Sequence, residues 1–289
     1  MTLTIPKRKA TYARHYCEAP QKTEANGTRH WITRAANFVT VVSEVVAGTV
    51  MERTAQSDEY MIFVVSGAAV MEAANTKLEA GPETLLIVPP GPSKLTVTQG
   101  GQIISVFSNK ASDLLNAASN ASVYADGAPE ITPITAWPDP VGGFKLRAYK
   151  MADVTSPDPS PLKMRLFRST NLMINIFEPW KNRRDPAKLS PHWHDDFEQM
   201  SLGLKGSFVH HMRYPWGPDM TQWIEDEHAV YDASPSILVI PAGVIHTTQD
   251  TGEGTTWLVD IFGPPRMDFS SKPGFVLNEK DYPMPAAQQ

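Results

Sequence analysis

Two apolar segments of this chain, each running into a proline and glycine turn, read LLIVPPGPSK at Leu85–Lys94 and ILVIPAGVIH at Ile237–His246. A second shared signal precedes each of them, a glutamate followed eight positions later by glycine: Glu59 and Gly67 in the first half, Glu198 and Gly206 in the second. The signals recur in the same order, at offsets of 198 − 59 = 139 and 243 − 91 = 152 residues. The difference, 152 − 139 = 13 residues, places an insertion in the second half within His211–Asp232. Such a repeat reads as one β unit present twice, in keeping with the two domains that 289 residues suggest.

The unit is predicted to be built from strands. Runs rich in Val, Ile, Phe and Thr recur at Phe38–Val46, Tyr60–Val65, Thr84–Val88, Lys94–Thr98, Ile103–Ser108, Asn171–Phe177, Ser207–His211, Ile237–Ile240 and Thr256–Phe262, most of them bounded by Gly, Pro, Asn or Ser. The 25 prolines lie scattered among these runs rather than in one tract, which favours many short strands separated by turns. The best helical signal is Ser112–Ala118, with Ser112 as a candidate cap. Between Ser119 and Pro161 the composition shifts to Ala, Ser, Pro and Asp, with Phe144–Met151 inside it as a connecting strand. The expected division is an N-terminal domain over residues 1–125, a linker over 126–165 and a C-terminal domain over 166–289.

Charge and cysteine content narrow the function. With 26 Lys+Arg against 31 Asp+Glu the net charge is −5, and no block of like charge points to nucleic acid or an anionic membrane as partner. No apolar run approaches the roughly 18 residues that span a bilayer, and Met1–Ala10 lacks the hydrophobic stretch of a secretory signal, so the expected setting is cytoplasmic. A lone Cys17 excludes an intrachain disulfide and cysteine-based zinc sites, so a metal site here must use His and oxygen ligands.

Such a set lies in SPHWHDDFEQMSLGLKGSF, Ser190–Phe208. His192 and His194 are two apart, so on a strand both imidazoles project from one face, as a single ion requires. Glu198 and Gln199 follow at the start of the next strand, and His246 follows the Pro241-Ala242-Gly243 turn. This order of His-x-His, an acid or amide, Gly, and later Pro-x-Gly-x-x-His resembles the paired motifs of the cupin superfamily, and the repeat extends the likeness over most of the chain. The resemblance implies an all-β chain of two tandem cupin (double-stranded β-helix, jelly-roll) barrels. It also implies a divalent ion, Zn²⁺, Mn²⁺, Fe²⁺ or Ni²⁺, held by His192, His194, His246 and one oxygen ligand. The spacing to Gly206 favours Gln199 as that ligand, with Glu198 the alternative, since neighbours on a strand face opposite ways. Three neutral imidazoles with Gln leave the ion its full charge and favour Lewis-acid chemistry, whereas Glu suits redox-active iron better.

At the matching positions of the first half stand Arg53, Ala55, Tyr60 and Lys94, and Arg and Lys do not ligate metals at neutral pH. That half is expected to be metal-free and to serve dimerisation or support, with a remnant anion pocket at Arg53 and Lys94 as a rival. Further candidates follow Gly206: His210 and His211, one facing inward as a base, and Arg213 with Tyr214, placed to orient a substrate carboxylate. Tyr214–Asp219 and Trp223 suit a lid or a dimer contact, Glu225–Glu227 a solvated loop, and the segment from Phe262 onward a packing tail without chemistry. The leading expectation is a metal-dependent enzyme of small-molecule metabolism, a homodimer or higher homo-oligomer. It would polarise an oxygenated, carboxylate-type substrate for isomerisation, elimination or hydrolysis. A non-haem iron dioxygenase and a non-catalytic metabolite-binding cupin are the alternatives.

Overall fold

Most of the apolar runs form strands buried on both faces, whereas Lys94–Thr98 and Ser207–His211 fall in strands buried on one. In the computed structural model, which describes residues 4–286, the first half has a large sheet with strand order Arg147–Lys150, Thr84–Val88, Tyr60–Val64, Gly101–Ser108, Phe38–Val45, Arg29–Arg34 and Lys22–Thr23. The second half has its own, in the order Thr11–Ala13, Ser236–Ile240, Gln199–Lys205, Trp257–Phe262, Met173–Ile176 and Leu166–Arg168. One face of each large sheet supplies a shared core, in which Met61, Phe63, Leu85, Ile104 and Val106 pack with Ile174, Met200, Leu202, Val239 and Ile261.

The opposite face of each large sheet is covered by a small one. In the first half this is Val50–Gln56, Gly91–Gln99, Ala68–Ala73 and Thr76–Ala80, and Met71, Leu95 and Val97 meet Tyr60, Ile62 and Val64 in a second core. In the second half it is Glu227–Tyr231, Phe208–Arg213 and Ile245–Asp250. These outer strands alternate buried and exposed residues and carry charges, as in Val50–Gln56 (VMERTAQ), so they lack the continuous apolar runs of the inner ones. The helix forms at Ser112–Ala117, with Ala111 rather than Ser112 as the N-cap. The expected insertion is the segment 214–226, where the first half has only the turn Ala74-Asn75. Glu227, expected in a solvated loop, lies in a strand and accepts hydrogen bonds from the Tyr12 and Tyr214 hydroxyls.

The sheets cross the boundary expected from composition. Thr11–Ala13, at the start of the chain, pairs antiparallel with Ile237–Val239 of the second half, while Arg147–Lys150 pairs with Thr84–Ile87 of the first. The start of the chain thus completes the second half's sheet, and the expected linker completes the first's. The repeated glycines have a steric cause: Gly67 and Gly206 have φ of +83° and +91°, and a Cβ on either would lie 2.5 Å from Gln99 O or Thr256 Cγ2.

The repeated glutamates join the halves. Glu198 accepts hydrogen bonds from Ala36 N (2.6 Å) and the Tyr124 hydroxyl (2.9 Å) of the first half. Glu59 accepts from Thr170 N (3.1 Å), Thr170 Oγ1 (3.0 Å) and the Tyr282 hydroxyl (2.9 Å) across the boundary in the other direction. Ala36 and Thr170 sit in matching turns, closed by Ala35 N to Phe38 O and Ser169 N to Leu172 O. Both carboxyls are buried, and burial pushes both pKa values up despite these donors.

Glu198→Ala leaves a buried N–H and a buried hydroxyl without an acceptor, and is expected to lower stability by about 2 kcal/mol in denaturant unfolding, with Glu198→Gln milder. A cost below about 0.5 kcal/mol would remove the clamp from the account. The raised carboxyl of Glu59 contributes stability that is complete below the ordinary glutamate pKa and is lost as pH rises through its folded value. Wild type is therefore expected to lose stability relative to Glu59→Gln as pH rises from about 4 toward 7, read from unfolding midpoints across that window.

Candidate metal centre

Ser190–Asp196 is an extended loop rather than the strand expected for the His-x-His motif. Its position comes from a single two-bond bridge, His246 N to His192 O (2.8 Å) and His192 N to His246 O (3.0 Å), together with Gly243 N to His194 O (2.7 Å). The tight turn after Pro241 thus holds both histidine segments. The ligating nitrogens of His192, His194 and His246 all lie within 4.8 Å of one another.

The hydrogen bonds of the rings fix which nitrogens face inward. Nδ1 of His192 lies 2.9 Å from Ser190 O and Nδ1 of His246 lies 2.9 Å from Val244 O. Since a carbonyl only accepts, both Nδ1 atoms carry the proton and both Nε2 lone pairs are available. Nε2 of His246 is buried without any hydrogen-bond partner. His194 stacks on Phe197 with ring centroids 4.4 Å apart, and its Nε2 lies 3.0 Å from Gln199 Oε1. In this contact His194 Nε2 donates to the amide oxygen; His194 and Gln199 would together hold an ion once the ring proton lies on Nδ1 instead. Burial lowers the pKa of all three rings, that of His194 to about 3, with the Arg266 charge adding to the effect on His192 and His194. At neutral pH the set is uncharged, the form that ligates.

The choice between Glu198 and Gln199 is made by strand parity. Gln199, paired with Ile240, points to the histidines, and Glu198 points the other way, into its contacts with Ala36 and Tyr124. A relay then orients the amide: Gln199 Nε2 donates to Ser201 Oγ (3.0 Å), which donates to Asp260 Oδ1 (2.6 Å). With Ser201 committed to the carboxylate, the amide nitrogen of Gln199 must face it, and the carbonyl oxygen is presented to His194.

The remaining candidates divide by the same parity. On Phe208–Arg213, Met212 opposes His246 and His210 opposes Thr248, so His210 is buried inward, with Nδ1 2.8 Å from Thr248 Oγ1. Burial pushes the His210 pKa to about 3, so it is a neutral imidazole rather than a proton reservoir. His211 faces outward against His228 (2.8 Å), and Arg213 is exposed and paired with Asp226 (3.0 Å). Tyr214 is buried away from the histidines, its hydroxyl accepting from Ala10 N and donating to Glu227. His211 and Arg213 line a cavity together with His246, whereas Tyr214 packs in a separate apolar cluster.

The cation beside the site is Arg266, from the segment expected to be a tail without chemistry. Its guanidinium lies over the Phe262 ring (5.0 Å to the centroid) and the Phe269 ring (3.9 Å), and Nε and Nη2 donate to Asp268. Arginine beside Phe262 and Pro265 carried no spacing signal, because its approach depends on the chain turning back after the strand Trp257–Phe262.

In the first half, Arg53 opposes Ser93 as His192 opposes His246, so Ser93, not Lys94, holds the position matching His246. Gly91 to Ser93 is one residue shorter than Gly243 to His246, which turns Lys94 outward toward Glu52 (3.8 Å). Ser93 Oγ instead meets the hydroxyl of Tyr60, the counterpart of Gln199, at 2.8 Å.

No family model matches the chain, and no curated protein matches it by sequence. Solved structures do. Oxalate decarboxylase from Bacillus subtilis, described with Mn(II) centres, superposes with a TM-score of 0.59 at 12% identity over 94% of this chain and 82% of that one. The oxalate decarboxylase of Lactobacillus farciminis, in a formate complex, gives 0.54 at 16% identity over 83% and 81%. A cupin 2 conserved barrel domain protein from Leptotrichia buccalis gives 0.51 at 9% identity over 90% and 100%. Likeness at these identities establishes the fold, an all-β chain of tandem cupin-type barrels. Among the described residues no helix is long and apolar enough to cross a membrane.

Ser201→Ala removes the acceptor that orients Gln199. After chelation, Mn²⁺ or Zn²⁺ affinity of this variant is expected to fall about tenfold in a competition titration, and unchanged affinity would discard the relay.

Proposed function

We propose that the chain is a two-barrel cupin whose second barrel is a metal-dependent enzyme acting on a small oxygenated carboxylate. The observation that carries this reading is His246 Nε2, a buried nitrogen with no partner, facing two further imidazoles and an oriented amide oxygen. An orphaned lone pair that faces two further imidazoles fits a resident cation. When bound, a divalent ion with three neutral nitrogens and a neutral oxygen retains its full charge and supplies Lewis-acid polarisation of a substrate oxygen.

The protein's own groups supply orientation and dryness. Arg266, half committed to Asp268, leaves Nη1 to hold a substrate carboxylate near the His194 edge of the site. Phe197 and Phe262 flank His194 and exclude water from that edge. His210, neutral and held through Nδ1 by the Thr248 hydroxyl, lies on the strand next to His246. The oxalate decarboxylase likeness agrees with a small carboxylate as substrate but does not select the reaction.

Purified protein is expected to carry about one equivalent of a divalent transition metal by elemental analysis, His246→Ala almost none, and Glu198→Gln a normal content. Below about 0.2 equivalents in the wild type, or loss in Glu198→Gln with retention in Gln199→Ala, would overturn the site assignment. For the metal-loaded protein, Arg266→Gln is expected to weaken binding of oxalate, malonate or lactate by roughly 10- to 100-fold in calorimetry while leaving metal content unchanged.

A further inference from the structure

The first barrel has a cavity beside Arg53, the counterpart of His192. It measures about 540 Å³ and is walled by Ile32, Val41, Met51, Phe107 and Leu114, with Ser105 among its lining residues. That volume lies within the range of small-molecule sites; Gln21, Lys22, Glu24, His30, Glu52, Arg53 and Asp113 line it together with the apolar residues, which contribute the larger share of its surface.

Register shows what replaced what. Ser105 opposes Ile62 as Asp260 opposes Ser201, and Tyr60 stands where Gln199 stands, so the relay Gln199–Ser201–Asp260 has become Tyr60, Ile62 and Ser105. The Tyr60 hydroxyl is taken by Ser93, and Ser105, the counterpart of Asp260, lines the cavity beside Ile32, Val41 and Phe107. Its hydroxyl is 2% exposed by residue and has no hydrogen-bond partner, although it lines the cavity. A buried hydroxyl facing such a space has the position of a ligand contact.

The rim excludes an anion as the natural occupant. Arg53 donates through Nε to Gln56 (3.2 Å) and through Nη1 and Nη2 to Asp113 (2.6 and 3.0 Å). Lys22 pairs with Glu24, and His30 lies between Glu24 and Ser43. Each positive group is matched within the protein, and the Arg53 guanidinium lies over the Phe107 ring, 5.2 Å from its centroid, capping the aromatic wall.

From the cavity, the unpartnered Ser105 hydroxyl and the charge-balanced rim we infer that the first barrel is a second small-molecule site, for an uncharged, mainly apolar molecule of aromatic size with one hydroxyl or carbonyl oxygen directed at Ser105. This site is independent of the metal centre and of the activity proposed for it.

The test uses 2-naphthol as probe, followed by its own fluorescence on titration with the full-length protein, with naphthalene and 2-naphthoate as comparisons. Saturable binding of 2-naphthol is expected, roughly fivefold tighter than naphthalene and tighter than 2-naphthoate. In Ser105→Ala, which removes only the hydroxyl, the preference for 2-naphthol over naphthalene is expected to vanish while thermal stability is kept or raised. Met51→Trp, at the half-buried rim, is expected to weaken both probes at least tenfold by filling the cavity. The His192→Ala/His194→Ala variant, altered only in the second barrel, is expected to bind 2-naphthol as wild type does. Absence of saturable binding, a preference that survives Ser105→Ala, binding indifferent to Met51→Trp, or binding lost in the histidine variant would each overturn the inference.

Discussion

Two buried carboxylates, each accepting from a backbone N–H and a tyrosine hydroxyl of the opposite half, hold this molecule in register. Glu59 and Glu198 are the last residues before the central strands Tyr60–Val64 and Gln199–Lys205, so fixing them fixes where those strands begin. The strands behind them carry the shared core on one face and a cavity on the other, and the inward parity of Tyr60 and Gln199 follows directly. A clamp made of burial and hydrogen bonds is directional, where the apolar core between the sheets is not. The apolar contact supplies most of the free energy of association, and the carboxylates select one orientation for it.

That role explains both what could be read from the sequence and what could not. The Glu and Gly signal recurs in both halves because its causes, the clamp and the positive-φ turn, operate in both. It was therefore a sound guide to duplication and a poor guide to metal ligation, since Glu198 serves the first purpose and its neighbour faces the histidines. Inner strands such as Phe38–Val45 and Ser236–Ile240 were legible because both of their faces are buried. Outer strands such as Val50–Gln56 and Glu227–Tyr231 were not, because one face is wet and their alternation is interrupted by charge. The metal candidates His192, His194, Gln199 and His246 were legible from spacing, whereas Arg266 was not, because its place depends on a chain reversal that spacing does not encode.

The pairing of Lys94 with His246 failed for a local reason. Counting from the shared glycine assumes turns of equal length, and the first-half turn is one residue shorter, so parity is inverted from Ser93 onward. A strand shifted by one residue exchanges its faces, and the side chain that would have looked inward is presented to solvent. With parity restored, the two barrels are comparable position by position: Gln199 and His246 in one stand where Tyr60 and Ser93 stand in the other. The scaffold positions are duplicated and the cavity positions have separated.

The exchanged edge strands have a consequence for how the chain is made. Thr11–Ala13 is synthesised more than two hundred residues ahead of its partner Ile237–Val239. The first barrel likewise presents an open strand edge at Thr84–Val88 until Arg147–Lys150 arrives, 147 − 87 = 60 residues behind it. Until the second half is made, the sheet face of the first half lacks its partner in the shared core and Thr11–Ala13 lacks its strand. Exposed edges of this kind invite pairing with another chain, so the interval before the second half is complete is the stage at which this protein is most vulnerable to misassembly.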